Sequence, residues 1–215
     1  GEFIFITVTA VNDAPVRTAG TPAAINVNED SANVTAVSLG MGALTYGPSG
    51  GSDEAGQTLT YTITAIPAHM TLWKADGVTQ VTASTVVTLT ELQGLKYKTV
   101  ADANGSGNLT WTVVDNGGIA NGGVNTLTET LAITVNAVND APVVTTTGSA
   151  LSYTENAAAT AIDTGLTVSD VDNTNLTGAT ITISTNYVNG EDVLAFTNQL
   201  GITGSWNSTT GVLTL

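Results

Sequence analysis

Cysteine is missing altogether from this 215-residue chain. Disulfides and thiolate metal sites are therefore excluded, and any metal has to sit on oxygen ligands. Basic residues are nearly as scarce: Arg17, Lys74, Lys96 and Lys98 stand against 18 Asp and Glu, for a formal charge of −14. That balance excludes a nucleic-acid backbone or an anionic membrane surface as partner. Long apolar runs are also lacking, which argues against direct membrane insertion, and no basic-then-apolar signal segment opens the chain. Gly1-Glu2-Phe3 has the look of a cloning scar, so a piece of something longer is expected. The one histidine, His69 in Pro67-Ala68-His69-Met70, has no partner histidine and no serine or cysteine in a nucleophile-elbow context. With no zinc motif either, the expectation is a protein that is not an enzyme. A carboxylate pair for glycoside hydrolysis is a matter of separation in space, which the sequence leaves open.

What is abundant is threonine, alternating with apolar residues. Leu59, Tyr61, Ile63 and Ala65 interleave with Thr58, Thr60, Thr62 and Thr64, which is the period of a half-buried strand. Leu109, Trp111 and Val113 repeat the pattern, as do Leu127, Leu131, Ile133 and Val135. Glu129 falls on the apolar phase and suggests a bulge or an edge there. Further on, Ile181 and Ile183 alternate with Thr180, Thr182 and Ser184, followed by Val193 to Phe196 and Val212 to Leu215. No stretch has a convincing helical period. Many short strands separated by Gly, Asn and Asp turns predict an all-β chain of antiparallel sandwiches with helix nearly absent.

The hexapeptide Val11-Asn12-Asp13-Ala14-Pro15-Val16 returns 127 residues later as Val138 to Val143. Each copy follows an alternating strand, Ile6-Thr7-Val8-Thr9-Ala10 or Ile133-Thr134-Val135-Asn136-Ala137, so the repeat begins with that strand. Proline fixes its own backbone and forces the preceding alanine to be extended, which makes a stiff connector with oxygen-bearing Asn-Asp at the joint. The expected organisation is residues 1–10 as the terminal strand of an upstream domain, 11–137 as one sandwich, and 138–215 as a second, truncated one. An unpaired edge in the second sandwich invites a strand from another molecule, segment 4–10 being a candidate.

These features resemble the cadherin fold, and more closely the bacterial cadherin-like repeats that extend large surface adhesins of the RTX and Bap type. Asn136-Ala137-Val138-Asn139-Asp140-Ala141-Pro142 is similar to the cadherin linker, with Asn in place of its leading Asp; the first copy has Thr9 there. Trp111 to Gly117 is similar to the strand ending in D-x-G, Asp102-Ala103-Asn104 sits where the family has D-R-E, and Asp170-Val171-Asp172 matches its D-x-D. Asp53-Glu54 is the looser counterpart in the first domain, and Glu29 and Glu155 resemble the Glu near the first strand.

The resemblance implies Ca²⁺ at the linkers. One ligand set is expected around Asn139 and Asp140, with Glu29, Asp102, Asp170 and Asp172. A second surrounds Asn12 and Asp13, with Asp53, Glu54 and Asp115. Ca²⁺ takes about six to eight oxygens in flexible geometry, which suits mixed Asp, Asn, Glu and carbonyl donors better than Mg²⁺ would. The implied function is a calcium-stiffened extender on the bacterial cell surface, supporting adhesion or biofilm formation. Its partners would be neighbouring repeats and a host, substratum or glycan surface. The rival is a glycan-binding module using Trp73, Trp206 or Trp111, although Trp111 follows a core-strand pattern.

Overall fold

The structure is a computed structural model and describes residues 3–215; Gly1 and Glu2 of the leading tripeptide lie outside the described residues. The chain forms two compact units that part between Val138 and Asn139.

The strands of the first unit are β1 (Val16–Ala19), β2 (Ile25–Asn28), β3 (Val37–Ser38), β4 (Thr45–Gly47), β5 (Leu59–Ala65) and β6 (Met70–Trp73), followed by β7 (Gln80–Val81), β8 (Val86–Val87), β9 (Lys96–Thr99), β10 (Gly105–Asp115) and β11 (Thr126–Asn136). One sheet has the order β2-β11-β10-β5-β8 and another the order β3-β9-β6-β7, with β1 and β4 pairing separately. The two larger sheets share one core. Ile63, Leu109, Trp111, Val113, Leu131, Ile133 and Val135 pack from the first against Met70, Leu72, Val81 and Tyr97 from the second. Burying a side chain of this size is worth about 1.5–3 kcal/mol, so the alternating β10–β11 hairpin supplies much of what holds the sandwich together.

Pairing is antiparallel except between β2 and β11, which run parallel from Ile25 opposite Ile133 to Asn28 opposite Asn136. The exception follows from a change of partner. β1 pairs with β4, and the chain then crosses over through residues 20–24 to place β2 beside β11. Gly20 has φ +81°, and a side chain there would meet the Ala43 carbonyl oxygen at 2.5 Å, so glycine alone fits that position.

Glu129 marks no bulge, because the β10–β11 register runs unbroken past Trp111 opposite Glu129. It occupies an inward phase because Arg17 meets it at 3.2 Å. Helix is confined to one α-turn, α1 (Leu89–Gln93), and two 3-10 turns among the described residues. A capping box starts α1: Thr88 accepts from the Glu91 backbone while the Glu91 carboxylate accepts from the Thr88 backbone.

The second unit holds β12 (Val143–Thr145), β13 (Thr167–Ser169), β14 (Thr180–Thr182), β15 (Ser205–Asn207) and β16 (Val212–Thr214). Val143 opposite Ser169 repeats the antiparallel pairing of Val16 with Gly47 in the first unit. The order β14-β16-β15 forms its other sheet, with Trp206 edge-on to Tyr187 at 6.0 Å. Residues 193–196 and 4–10 carry strand-like sequence yet form no strand, since no neighbouring strand pairs with either segment. No helix among the described residues is long and apolar enough to cross a membrane.

Candidate metal centres

Strand register places the predicted acidic residues of the first unit at the two ends of its large sheet. Leu59 is opposite Asp115, and Val114 is opposite Thr126, so Asp115 closes one end. Gly105 opposite Val135, and Val27 beside Val135, define the other, where β2 runs on into Glu29.

At the first end the linker is clamped by side chains that the sequence had singled out. The Asn12 amide donates to Asp115 Oδ1 at 3.0 Å and to the Val124 carbonyl at 2.7 Å. Asp115 Oδ1 also accepts from the Gly117 amide at 2.9 Å, as the D-x-G pattern requires. The Asp13 backbone N–H donates to Glu54 Oε1 at 2.7 Å. Pro15 is buried, which anchors the stiff part of the connector.

Both carboxylates at this end are buried, Glu54 at 3% exposure and Asp115 at 5%. The second oxygen of each, Glu54 Oε2 and Asp115 Oδ2, has no hydrogen-bond partner. Burying a carboxylate costs several kcal/mol unless a counter-charge or donor offsets it, so these two oxygens suit a cation. Asp13 Oδ2 and Glu54 Oε2 face the same point. A β-carbon built on Gly50 would lie 2.8 Å from the first and 2.9 Å from the second.

The residues fit a mixed-donor site. No three carboxylate or imidazole ligand atoms of this unit lie within 4.8 Å of one another among the described residues, so the ligands cannot be a tight all-carboxylate cage. Gln57 Oε1, buried and without a partner, adds an amide oxygen. An open cleft of about 380 Å³ reaches these groups, lined by Asn12, Asp53, Glu54, Gln57, Asn116 and Gly117 among others. Mixed carboxylate and amide oxygens with water access are what Ca²⁺ accepts and what octahedral Mg²⁺ accommodates less well.

At the far end Glu29 is fully buried. Its Oε1 accepts the Val138 backbone N–H at 2.7 Å, while Oε2 has no partner. Glu29 thus treats the second linker as Glu54 treats the first. Asp102, in a left-handed turn with φ +57°, and Asp30 bring carboxylate oxygens within 4.8 Å of each other.

In the second unit the Asp140 backbone N–H donates to Asp172 Oδ2 at 2.6 Å. Asp170 Oδ1 accepts the Asp172 and Asn173 amides, and the Asn173 side chain reaches Asn139 Oδ1 at 3.0 Å. The bond from Asp140 to Asp172 repeats that from Asp13 to Glu54. In this hydrogen bond Glu54, and not Asp53, takes the place that Asp172 has in the second unit. Asp53 is exposed on the rim of the cleft, and Glu155 is exposed in a turn; neither makes a hydrogen bond among the described residues.

Three contributors escaped the sequence reading. Gln57 donates from Nε2 to Asn12 Oδ1 at 2.6 Å, Asn116 Oδ1 caps the Thr58 amide at 2.9 Å, and Asp30 sits beside Asp102. Only the adjacency of Asp30 to Glu29, and of Asn116 to Asp115, was visible in the sequence. Gln57 carried no signal, because an isolated glutamine after a turn fits many roles.

The tryptophans are largely engaged. Trp111 is fully buried and donates to the Tyr46 hydroxyl at 3.0 Å, while Lys98 Nζ covers Trp73 at 4.4 Å from the ring centroid.

No family model matches the chain. Among curated proteins it is similar to Halomucin from Haloquadratum walsbyi, with 35% identity over 118 residues. The match covers 53% of this chain and 1% of Halomucin, so the matched part of the chain spans about a hundredth of the length of that relative.

Proposed function

We propose that the chain is an extender segment of a long cell-surface protein, in which Ca²⁺ bound at the linker ends of each sandwich stiffens a string of modules. The observation that carries this reading is the divided use of buried carboxylates. Glu54 and Glu29 each give one oxygen to a linker amide and keep the other without a hydrogen-bond partner. A divalent cation on that second oxygen neutralises the buried charge and couples the linker to the body of the domain. Without the ion, neighbouring carboxylates repel by on the order of 4 kcal/mol per close pair at an effective dielectric of about 20, before screening.

Several further observations support the reading. The connector VNDAPV occurs twice, and an Asp–amide clamp accompanies both copies. The matched relative is far longer than this chain and bears the name of a mucin, which favours a place outside the cell. The role is mechanical reach in support of adhesion or biofilm formation, with neighbouring repeats as the first partners and no catalysis. Trp111 in the core and Trp73 beneath Lys98 are engaged, so the glycan-binding alternative rests on Trp206, which is half-buried and edge-on to Tyr187 with its Nε1 unpartnered.

The test is a thermal melt in calcium and in chelator, paired with amide hydrogen exchange on both linkers. A higher melting temperature and slower exchange at Asp13 and Val138 in calcium are expected; identical melts and exchange rates would refute calcium stiffening.

A further inference from the structure

We infer that the outer face of the β3-β9-β6-β7 sheet binds an acidic polysaccharide. Three of the four basic residues of the chain lie on or beside this face, and none of its four strands contains Asp or Glu. Along β9, Tyr97 and Thr99 are buried in the sandwich, so Lys96 and Lys98 project from the opposite side. Strand pairing sets Lys96 between Ser38 and Trp73, Lys98 opposite Thr71, and Gln80 on the far side of Trp73.

The two lysines are free to bind. Lys74 is held by Glu91 at 2.8 Å and Arg17 by Glu129 at 3.2 Å, whereas Lys96 and Lys98 meet no carboxylate among the described residues. In a chain with 18 acids, two neighbouring ammoniums without one are charge kept for another molecule. Their side chains leave one strand two residues apart, about 6.7 Å along a rigid sheet. Lys98 is fixed further, because its Nζ rests 4.4 Å from the Trp73 ring centroid. The ring is itself pinned, its Nε1–H donating to Thr71 Oγ1 at 2.9 Å.

Charge, and not stacking, is what this face offers, since Lys98 covers the Trp73 ring. A protein partner would need an apolar centre to its contact. Here the lysines are surrounded by Ser38, Thr71 and Gln80, whose hydroxyl and amide groups match a hydrated, hydroxyl-rich polymer. Nucleic acid carries a charge about every 1.7 Å of its axis and is kept off by the −14 of the chain. A polymer with its anions on separate sugar rings is more sparsely charged, and at physiological salt acids beyond about 8 Å are screened from it.

The inference does not rest on calcium at the linkers, and a test in chelator lets the two readings fail separately. Backbone amide NMR of the intact chain is followed while an oligogalacturonate is added. Shifts should concentrate at residues 71–73 and 96–98, disappear at high salt, and be absent with the methyl-esterified oligomer, which is the same sugar without its charge. Affinity should fall several-fold in the Lys96→Gln/Lys98→Gln double variant and change little in Lys74→Gln, whose ammonium Glu91 already holds. A sulfated dextran oligomer of equal length, shifting the same amides more strongly or more weakly, tells sulfate from carboxylate recognition. Oligoglutamate shifting those amides as strongly as the sugars would make the face a contact for acidic protein and overturn the inference. So would no response to either acidic sugar, an equal response to the esterified oligomer, or a double variant that binds as the parent does.

Discussion

Glu54 divides its carboxylate between two tasks. Oε1 takes the Asp13 amide, and Oε2 lies buried without a donor. The opposing demands of folding and binding predict a reversal of sign on substitution. Glu54→Gln removes a buried charge, so in chelator the variant should melt at or above the temperature of the parent chain. In calcium it should lose at least tenfold in affinity, about 1.4 kcal/mol, and melt below the parent. Calorimetric melts of both proteins in both conditions check this; a variant that melts lower in chelator by as much as in calcium would make Glu54 a purely structural residue. Gly117 shows how tightly the site is drawn, since a β-carbon there would fall 1.8 Å from Asn12 Oδ1. The D-x-G spelling marked that position, while Gln57 on the other side of Asn12 carried no mark at all.

Between elements, a polar cluster at the seam of the sandwich links β1, β4, β10 and β11. Arg17 meets Glu129, Tyr46 lies opposite Arg17 in the β1–β4 pair, and Trp111 donates to the Tyr46 hydroxyl. Burial is the main cause that pushes the Tyr46 hydroxyl up to about 12; the Trp111 hydrogen bond works the other way. An unfolded tyrosine titrates near pH 10, so between about 10 and 12 the unfolded chain releases a proton that the folded chain retains. The stability tied to neutral Tyr46 is therefore complete below pH 10 and is lost as the pH rises toward 12. Tyr61 and Tyr97 shift in the same direction through burial and add to the slope. Tyr46→Phe should cost about 1 kcal/mol near pH 8 through the lost Trp111 bond, and should lose less than the parent chain on going to pH 11. Urea midpoints at the two pH values test it; parallel losses would remove Tyr46 from the alkaline transition.

The same elements show what could be read in advance. β10 and β11, at eleven residues each, displayed their period through Leu109, Trp111, Val113, Leu131, Ile133 and Val135, and those residues form the core. β3, β7 and β8 have two residues each, too few for any period to appear. Of the two readings of Glu129 the bulge fails and the edge holds, since β2 pairs only with Ile133 to Asn136 of β11; its ion-pair partner Arg17 lies too far away in sequence to be read. Helix α1 has no period to speak of, yet Thr88-Leu89-Thr90-Glu91 spelled its capping box. The parallel β2–β11 pair was invisible, since it follows from the change of partner between β1 and β2 across residues 20–24, which no sequence period marks.

For the whole molecule, a charge of −14 would oppose a compact state if its acids were spread evenly. Instead the buried ones gather where linkers meet a sandwich: Glu54 and Asp115 at one end of the first unit, Glu29 at the other. Each of these three leaves one oxygen unpartnered. In the second unit Asp140 and Asp172 renew the same linker clamp. The repeated connector, the repeated clamps and the buried acids are what the proposed function uses: on that proposal, dissolved calcium sets the stiffness of the chain. Isothermal titration of Ca²⁺ into the intact chain tests that claim most directly. Saturable binding, weakened at least tenfold by Glu54→Gln and by Asp115→Asn, is the predicted result; an absence of saturable heat, or equal affinity in both variants and the parent, would contradict it.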